Sequence, residues 1–432
     1  MLPNIFRFSN FDFSAGNLTS HGGILPITTW LAQNHFLDFL EQVPFGDSRK
    51  DPEYSNSEIL ASRILFNLSG TWGCSARYNL KDDPLFFDIN MPSQSTDSRL
   101  KDRITQQTVD FHSDTLTEMA CKRVASSSDE VILDQDSTVI ETYGNQKYAG
   151  YIPHYGTDGY HPLLISEHYS NAILAAWLRP GNTYASLGSW EQLCPVVQQL
   201  RKNNPSIDIK YRADSAGFNS DFMKQLESES ITYHIRCKNT HKLRTAIEND
   251  LDVKNVNFMD YTHAHPYIGE ITYTVSKSVP RRVVYKAYQA VSSKGQPELI
   301  PTIYCVITND EAQSAQEVMD FYEARGTSEN VNKDLKNDFF AGNLSHKEIN
   351  QNAVDLLLCA MCCNFYTFFR QDIFEGKDQS MRMSTFRQVL GSIGAKIIRH
   401  ARSIQISYAS NFWNRKKFEY YLKKVITCCP AG

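Results

Sequence analysis

Val131, Ile132, Leu133, Asp134, Gln135 and Asp136 form a short apolar run that closes on acids, and this stretch decides the fold. A run of aliphatic residues of this length predicts a strand buried on both faces, delivering carboxylates at its C-terminal end. Working outward, the runs Gly159–Ile165 and Ala172–Leu178 predict two more strands. A loop through Pro180 and Gly181 follows, then an amphipathic helix over Ser189–Lys202. Residues Ile207–Asp214 alternate into a fourth strand, which again ends in an acid. A turn at Ser215–Phe218, a helix over Ser220–Glu229 and a fifth strand over Ile231–Arg236 complete the pattern.

Three strands, helix, strand, helix, strand is the ribonuclease H-like order, in which acids at the ends of the first and fourth strands converge. Residues 240–311 interrupt it with β-type alternation at Gly269–Val275, Arg281–Lys286 and Ile300–Ile307. The helical pattern resumes at Ala312 and runs to Lys336. The expected architecture is therefore α/β: a ribonuclease H-like catalytic core interrupted by a β-rich insertion, with a helical N-terminal domain and a basic helical C-terminal region. The boundaries read as 1–128, 129–239, 240–311, 312–375 and 376–432. Helical patterns over Ile27–Leu40, Ser57–Leu68 and Thr96–Arg123 make the first segment either a DNA-binding module or a structural cap.

Tyr322, Arg325, Glu329 and Lys336 stand at i, i+3, i+7 and i+14, close to one face of a regular α-helix. An acid, two cations and a phenol make a poor core face and a good surface for metal and phosphate. With Asp136 and Asp214 they supply the three carboxylates that a two-metal phosphodiester site needs. Oxygen ligands suit Mg²⁺, a hard cation. Each acid also has a plainer reading. Asp134 and Asp136 can cap a strand end, Asp214 can open a helix through an Asx turn, and Glu329 can pair with Arg325 on the surface. Jointly, those readings require three acids to fall by chance on the three positions that converge in one fold. Ser137 and Thr138 have no base partner at a recognisable spacing, and the histidines from His154 to His346 show no metal spacing.

At these residues the chain resembles the DDE transposases of bacterial insertion sequences, in the group marked by a Tyr-x2-Arg-x3-Glu-x6-Lys signature and a β-rich insertion before the glutamate. Tyr160–Leu163, Leu178–Asn182, Asp82–Pro84 and Ser93–Thr96 are also similar to that group, as is the basic C-terminal region. The resemblance implies catalytic, metal-binding roles for Asp136, Asp214 and Glu329. It implies contacts from Tyr322, Arg325 and Lys336 to the terminal phosphates of the element's DNA. It implies two Mg²⁺ ions, with Mn²⁺ able to substitute. The implied partners are double-stranded DNA, both terminal inverted repeats and target, and a second copy of the chain in the DNA complex. The implied setting is the bacterial cytoplasm, on the nucleoid when DNA is bound. Asp134 is the rival first acid. Asp136 is preferred because the family's acid is commonly followed by a small residue and then Ser or Thr. The implied reaction is cleavage at each end to free a 3′-hydroxyl, which then attacks target DNA. A metal-dependent nuclease without strand transfer, or an inactive transposase-derived DNA-binding protein, are the alternatives. Some relatives trap a flipped base with a tryptophan in the insertion. Here Trp30, Trp72, Trp177, Trp190 and Trp413 all lie elsewhere, which leaves Tyr261, Tyr267 or Tyr273 for stacking.

A formal net charge of −4 gives no global hint of nucleic acid. From Lys377 to Lys424, however, eleven Lys and Arg face only Asp378 and Glu419. That region reads as a solvated surface or as a phosphate-contacting one. The ten cysteines, Cys428 and Cys429 among them, lack zinc-finger spacing and read as reduced thiols. Residues Met1–Arg7 lack the basic-then-apolar pattern of a leader. The apolar run Ala353–Phe369 contains Asp355 and Asn364, so a buried helix is expected and no membrane partner.

Overall fold

The computed structural model describes residues 14–73, 80–86, 92–153, 155–184, 186–276, 278–292, 295–400 and 403–428. Met1–Arg7, His154, Arg402 and Cys429 lie outside them. The chain folds as two compact units. One takes the residues up to Thr105, Asp338–Phe340 and those from Phe365 onward; the other takes Gln106–Asn337 and Ala341–Asn364.

The second unit is mixed α/β and is built on an eight-stranded sheet. Its strands in chain order are β1 (Glu130–Ser137), β2 (Leu163–Glu167), β3 (Ile173–Trp177), β4 (Asp208–Ala213), β5 (Thr232–Arg236), β6 (Tyr267–Thr274), β7 (Pro280–Tyr288) and β8 (Thr302–Thr308). Across the sheet the order is β6-β7-β8-β5-β4-β1-β2-β3. Strands β1, β4 and β5 are parallel neighbours, and every other pairing is antiparallel. The helices of this unit are α1 (Gln106–Ala125), α2 (Ser189–Asn203), α3 (Ser220–Ser228), α4 (His241–Val253), α5 (Ala315–Glu323), α6 (Ser328–Asn337) and α7 (Ile349–Ile373), the last only as far as Asn364.

Burial explains β1. Val131, Ile132 and Leu133 are almost fully enclosed, as a strand covered on both faces requires. Gln135 donates to Ser189 Oγ at the start of α2 (2.9 Å), whereas Asp134 and Asp136 face the side of α5 and α6. Helix α1, expected to belong with the N-terminal segment, packs on α2 and β3.

The strands of residues 240–311 extend the main sheet: β8 pairs with the edge that β5 would otherwise leave open, and β7 and β6 continue it. Two expectations are corrected. The run Gly159–Ile165 is two strands, because Pro162 lacks the N–H a continuous ladder needs. Thr157–Tyr160 therefore joins Ile140–Glu141 and Gly150–Ile152 in a small sheet of its own. The C-terminal region is not all helical: Ala395–His400 and Ser403–Tyr408 pair as an antiparallel hairpin, flanked by Leu18–Thr19, before the helix Arg415–Cys428. Ile397, Ile398, Ile404 and Ile406 are the β-branched signal for that hairpin.

In the first unit the helix Asn56–Ser69 starts from a capping box between Ser55 and Glu58, two residues before the start read from sequence. Helix α7 is long and apolar enough to cross a membrane, and its most apolar window is wholly buried in protein. One of the buried polar residues within it has a clear role. Asn364 accepts from the Ile173 N–H (2.8 Å) and donates to its carbonyl (2.7 Å), satisfying the backbone of edge strand β3.

Candidate active site

Parallel pairing of β1 with β4 sets Gln135 opposite Ala213, so the next residues, Asp136 and Asp214, leave adjacent strands at the same end of the sheet. Asp214 caps a one-turn 3₁₀ helix, with its Oδ1 accepting from the Ala216 N–H at 2.9 Å. The Asx-turn reading and the catalytic reading of this residue are thus compatible. Gly217 allows the tight turn, since a Cβ there would come within 3.0 Å of the Ala213 Cβ.

Asp136 is held from two sides. Arg325 Nη2 donates to Oδ1 at 2.9 Å and Asn332 Nδ2 donates to Oδ2 at 2.8 Å. Burial pushes its pKa up from the ordinary carboxylate value; the Arg325 charge opposes that shift and the Asp214 charge adds to it. Arg325 also donates to the Gln135 carbonyl at 3.0 Å, while its Nε is buried without a hydrogen-bond partner.

Asp134 has a different partner set. Both its oxygens meet Arg212, at 2.7 Å each, and the two side chains are essentially fully buried. Arg212 continues to the Phe321 carbonyl (2.7 Å), so this pair fastens the end of α5 to β4. The geometry therefore favours Asp136 over Asp134 as the acid at the open strand end.

The four residues of the last helix are not brought to one face. Tyr322 is buried, packed with Val284, Val306, Val318 and Met319, and its hydroxyl donates to the Ala213 carbonyl at 3.2 Å. It braces the backbone before Asp214, where a phosphate contact was expected. Lys336 is half-buried and donates to Thr138 Oγ1 (3.0 Å), with its pKa lowered by burial. Glu329 is 67% exposed and lies 3.8 Å from Lys333. Among the described residues no three His, Cys, Asp or Glu side chains are gathered as a metal site. The cause is a 3₁₀ turn over Ala324–Thr327 between α5 and α6. At about 120° per residue against about 100° in an α-helix, four residues add roughly 80° of rotation and carry Glu329 off the shared stripe.

Sequence reasoning missed three neighbours. Asn332 carried no signal beyond its place one turn after Glu329. Tyr155 has its pKa raised by burial and by the charges of both Asp136 and Asp214. Arg179 is fully buried, donates to the carbonyls of His161 (2.9 Å) and Leu187 (2.9 Å), and has its pKa lowered to about 10 by burial, against the pull of Asp214. Its signal was the stretch Leu178–Asn182. In the segment expected as an insertion, Tyr261 and Tyr267 meet edge to face with ring centroids 5.5 Å apart.

Among solved structures, the chain is similar to a piggyBac transposase in a synaptic complex with hairpin DNA, at 12% identity and a TM-score of 0.46, over 86% of this chain and 80% of that one. A search of curated proteins returns no match. The family described as Transposase DDE domain group 1 matches residues 9–428, nearly the whole chain, and this protein belongs to that family.

Proposed function

We propose that the chain is a DNA transposase that cleaves phosphodiester bonds at the ends of a mobile element and joins the freed 3′-hydroxyls to target DNA. The observation that carries this reading is the pair Asp136 and Asp214, leaving adjacent parallel strands at one end of the sheet. The order β3-β2-β1-β4-β5, with three antiparallel strands and two parallel additions, supports a ribonuclease H-like core.

The donor set fits a hard divalent cation. The Asp214 charge disfavours ionisation of its neighbour Asp136, which a guanidinium already partly neutralises. Asp136 and Asp214 would hold Mg²⁺, joined by Glu329. The chemistry such cations supply is activation of a water or 3′-hydroxyl and neutralisation of the leaving oxygen. Tyr322 positions the Asp214 turn through the Ala213 carbonyl. Arg325 bonds Asp136 and Lys336 bonds Thr138, two residues further on, and both would supply phosphate-binding charge to the substrate strand. Two element ends must be held at once, so the working complex contains at least two copies of the chain.

The test is Mg²⁺-dependent cleavage of linear DNA carrying the element's own ends, comparing wild type with Asp136→Asn, Asp214→Asn and Glu329→Gln. Cleavage by wild type alone, with joined products on added target DNA, is expected. Cleavage without joining would make the chain a nuclease. Tight binding with no cleavage by any form would make it an inactive DNA binder.

A further inference from the structure

Arg325 and Asn332 occupy the two oxygens of Asp136, while Glu329, one helical turn before Asn332, points outward. Asn332 is 8% exposed and buried against the strand end. Around an α-helix, a residue three positions earlier lies about 60° away. Returning Ala324–Thr327 from 3₁₀ to α geometry would turn α6 back by roughly 80° and carry Glu329 to within about 20° of the direction Asn332 now takes. The turn has room to rearrange: Gly326 is exposed, and a Cβ placed on it would meet nothing within 4 Å. The buried Arg325 Nε without a hydrogen-bond partner marks that side chain as held by its charge partner rather than by a complete polar cage.

We propose that Asn332 is a positioning residue that fixes a resting register of α6, with Arg325 as the resting counter-ion of Asp136, and that rewinding Ala324–Thr327 replaces Asn332 by Glu329 beside Asp136. This rests on the reading of Asp136, Asp214 and Glu329 as the acids of a metal-dependent transposase. In the resting register Arg325 competes with a divalent cation for Asp136. After rewinding, the guanidinium is released toward the substrate strand.

Mn²⁺ binding to the full chain without DNA, followed by titration calorimetry, tests it. Glu329→Gln alone is expected to leave DNA-free affinity unchanged within about twofold. Gly326→Ala, which favours α geometry, is expected to tighten Mn²⁺ binding about fivefold, and the gain is expected to vanish in the Gly326→Ala, Glu329→Gln double variant. Both positions are exposed, and melting curves verify that the variants fold. Arg325→Gln is expected to bind Mn²⁺ about tenfold more tightly than wild type. Weaker binding by Arg325→Gln, weaker binding by Glu329→Gln alone, or a gain in Gly326→Ala that survives loss of Glu329 would each overturn the proposal. Wild type that neither binds Mn²⁺ nor cleaves DNA would instead sink the functional reading, and the proposal with it.

Discussion

Asp134 and Asp136 lie on the same side of β1, and their surroundings give them opposite consequences. Asp134 and Arg212 form a buried bidentate pair, so removing either partner strands the other charge. Asp134→Ala or Arg212→Ala is expected to cost about 3–5 kcal/mol in chemical denaturation, whereas replacing both with apolar residues is expected to cost far less. A double variant that costs the sum of the two single losses would show that the pair is not a unit. Asp136 behaves in the other sense. Its folded pKa is raised, chiefly by burial, so the protonated form favours folding. That contribution is complete below the ordinary carboxylate value and is lost as pH rises through the folded value. Metal-free Asp136→Asn is therefore expected to melt above wild type at pH 7, with the difference shrinking toward pH 4; a difference independent of pH would contradict the assignment. Sequence left the choice between these acids to a family habit, because the partner that settles it, Arg212, is 78 residues away.

The strands and helices of the sheet were legible because each carries its own period, β1 as an aliphatic run and α2 and α3 as amphipathic turns. The break between α5 and α6 was not. Ala324, Arg325, Gly326 and Thr327 suit α and 3₁₀ geometry alike, and tertiary contacts choose: Tyr322 is anchored to Ala213 on one side and Asn332 to Asp136 on the other. The joining of β6–β8 to the main sheet was equally invisible, since alternation specifies a strand and not its neighbour. Element-level energetics are testable at the start of α5. Ser314 and Glu317 form a capping box there, with the Ser314 N–H donating to Glu317 at 2.7 Å. Ser314→Ala is expected to destabilise by about 1 kcal/mol. Because α5 carries Tyr322, hydrogen exchange is expected to quicken in α5 and at Ala213–Gly217 before it does in α1. Exchange that quickens uniformly would place the cap's effect on global stability alone.

Across the whole molecule, charge is sorted rather than abundant. The net value of −4 conceals a C-terminal region with eleven basic residues and two acids. Several of those acids and bases satisfy one another: Lys417 pairs with Asp378 at 2.8 Å and Arg415 with Glu419 at 2.7 Å. Lys396, on the hairpin, and Lys416 and Lys423, on the C-terminal helix, are exposed. Exposed lysines contribute little to folding, so their replacement isolates long-range electrostatics from stability. If this surface lies along DNA, changing all three to Gln is expected to weaken binding to duplex of any sequence. The slope of log affinity against log salt is expected to fall by about 0.9 for each phosphate contact removed. Melting temperature and cleavage at saturating DNA are expected to stay at wild-type values, because none of the three belongs to the proposed acid set. An unchanged salt slope would return the region to the plainer of its two sequence readings, a solvated basic face. A lost cleavage rate at saturating DNA would instead mean that these cations act on the chemical step as well as on binding.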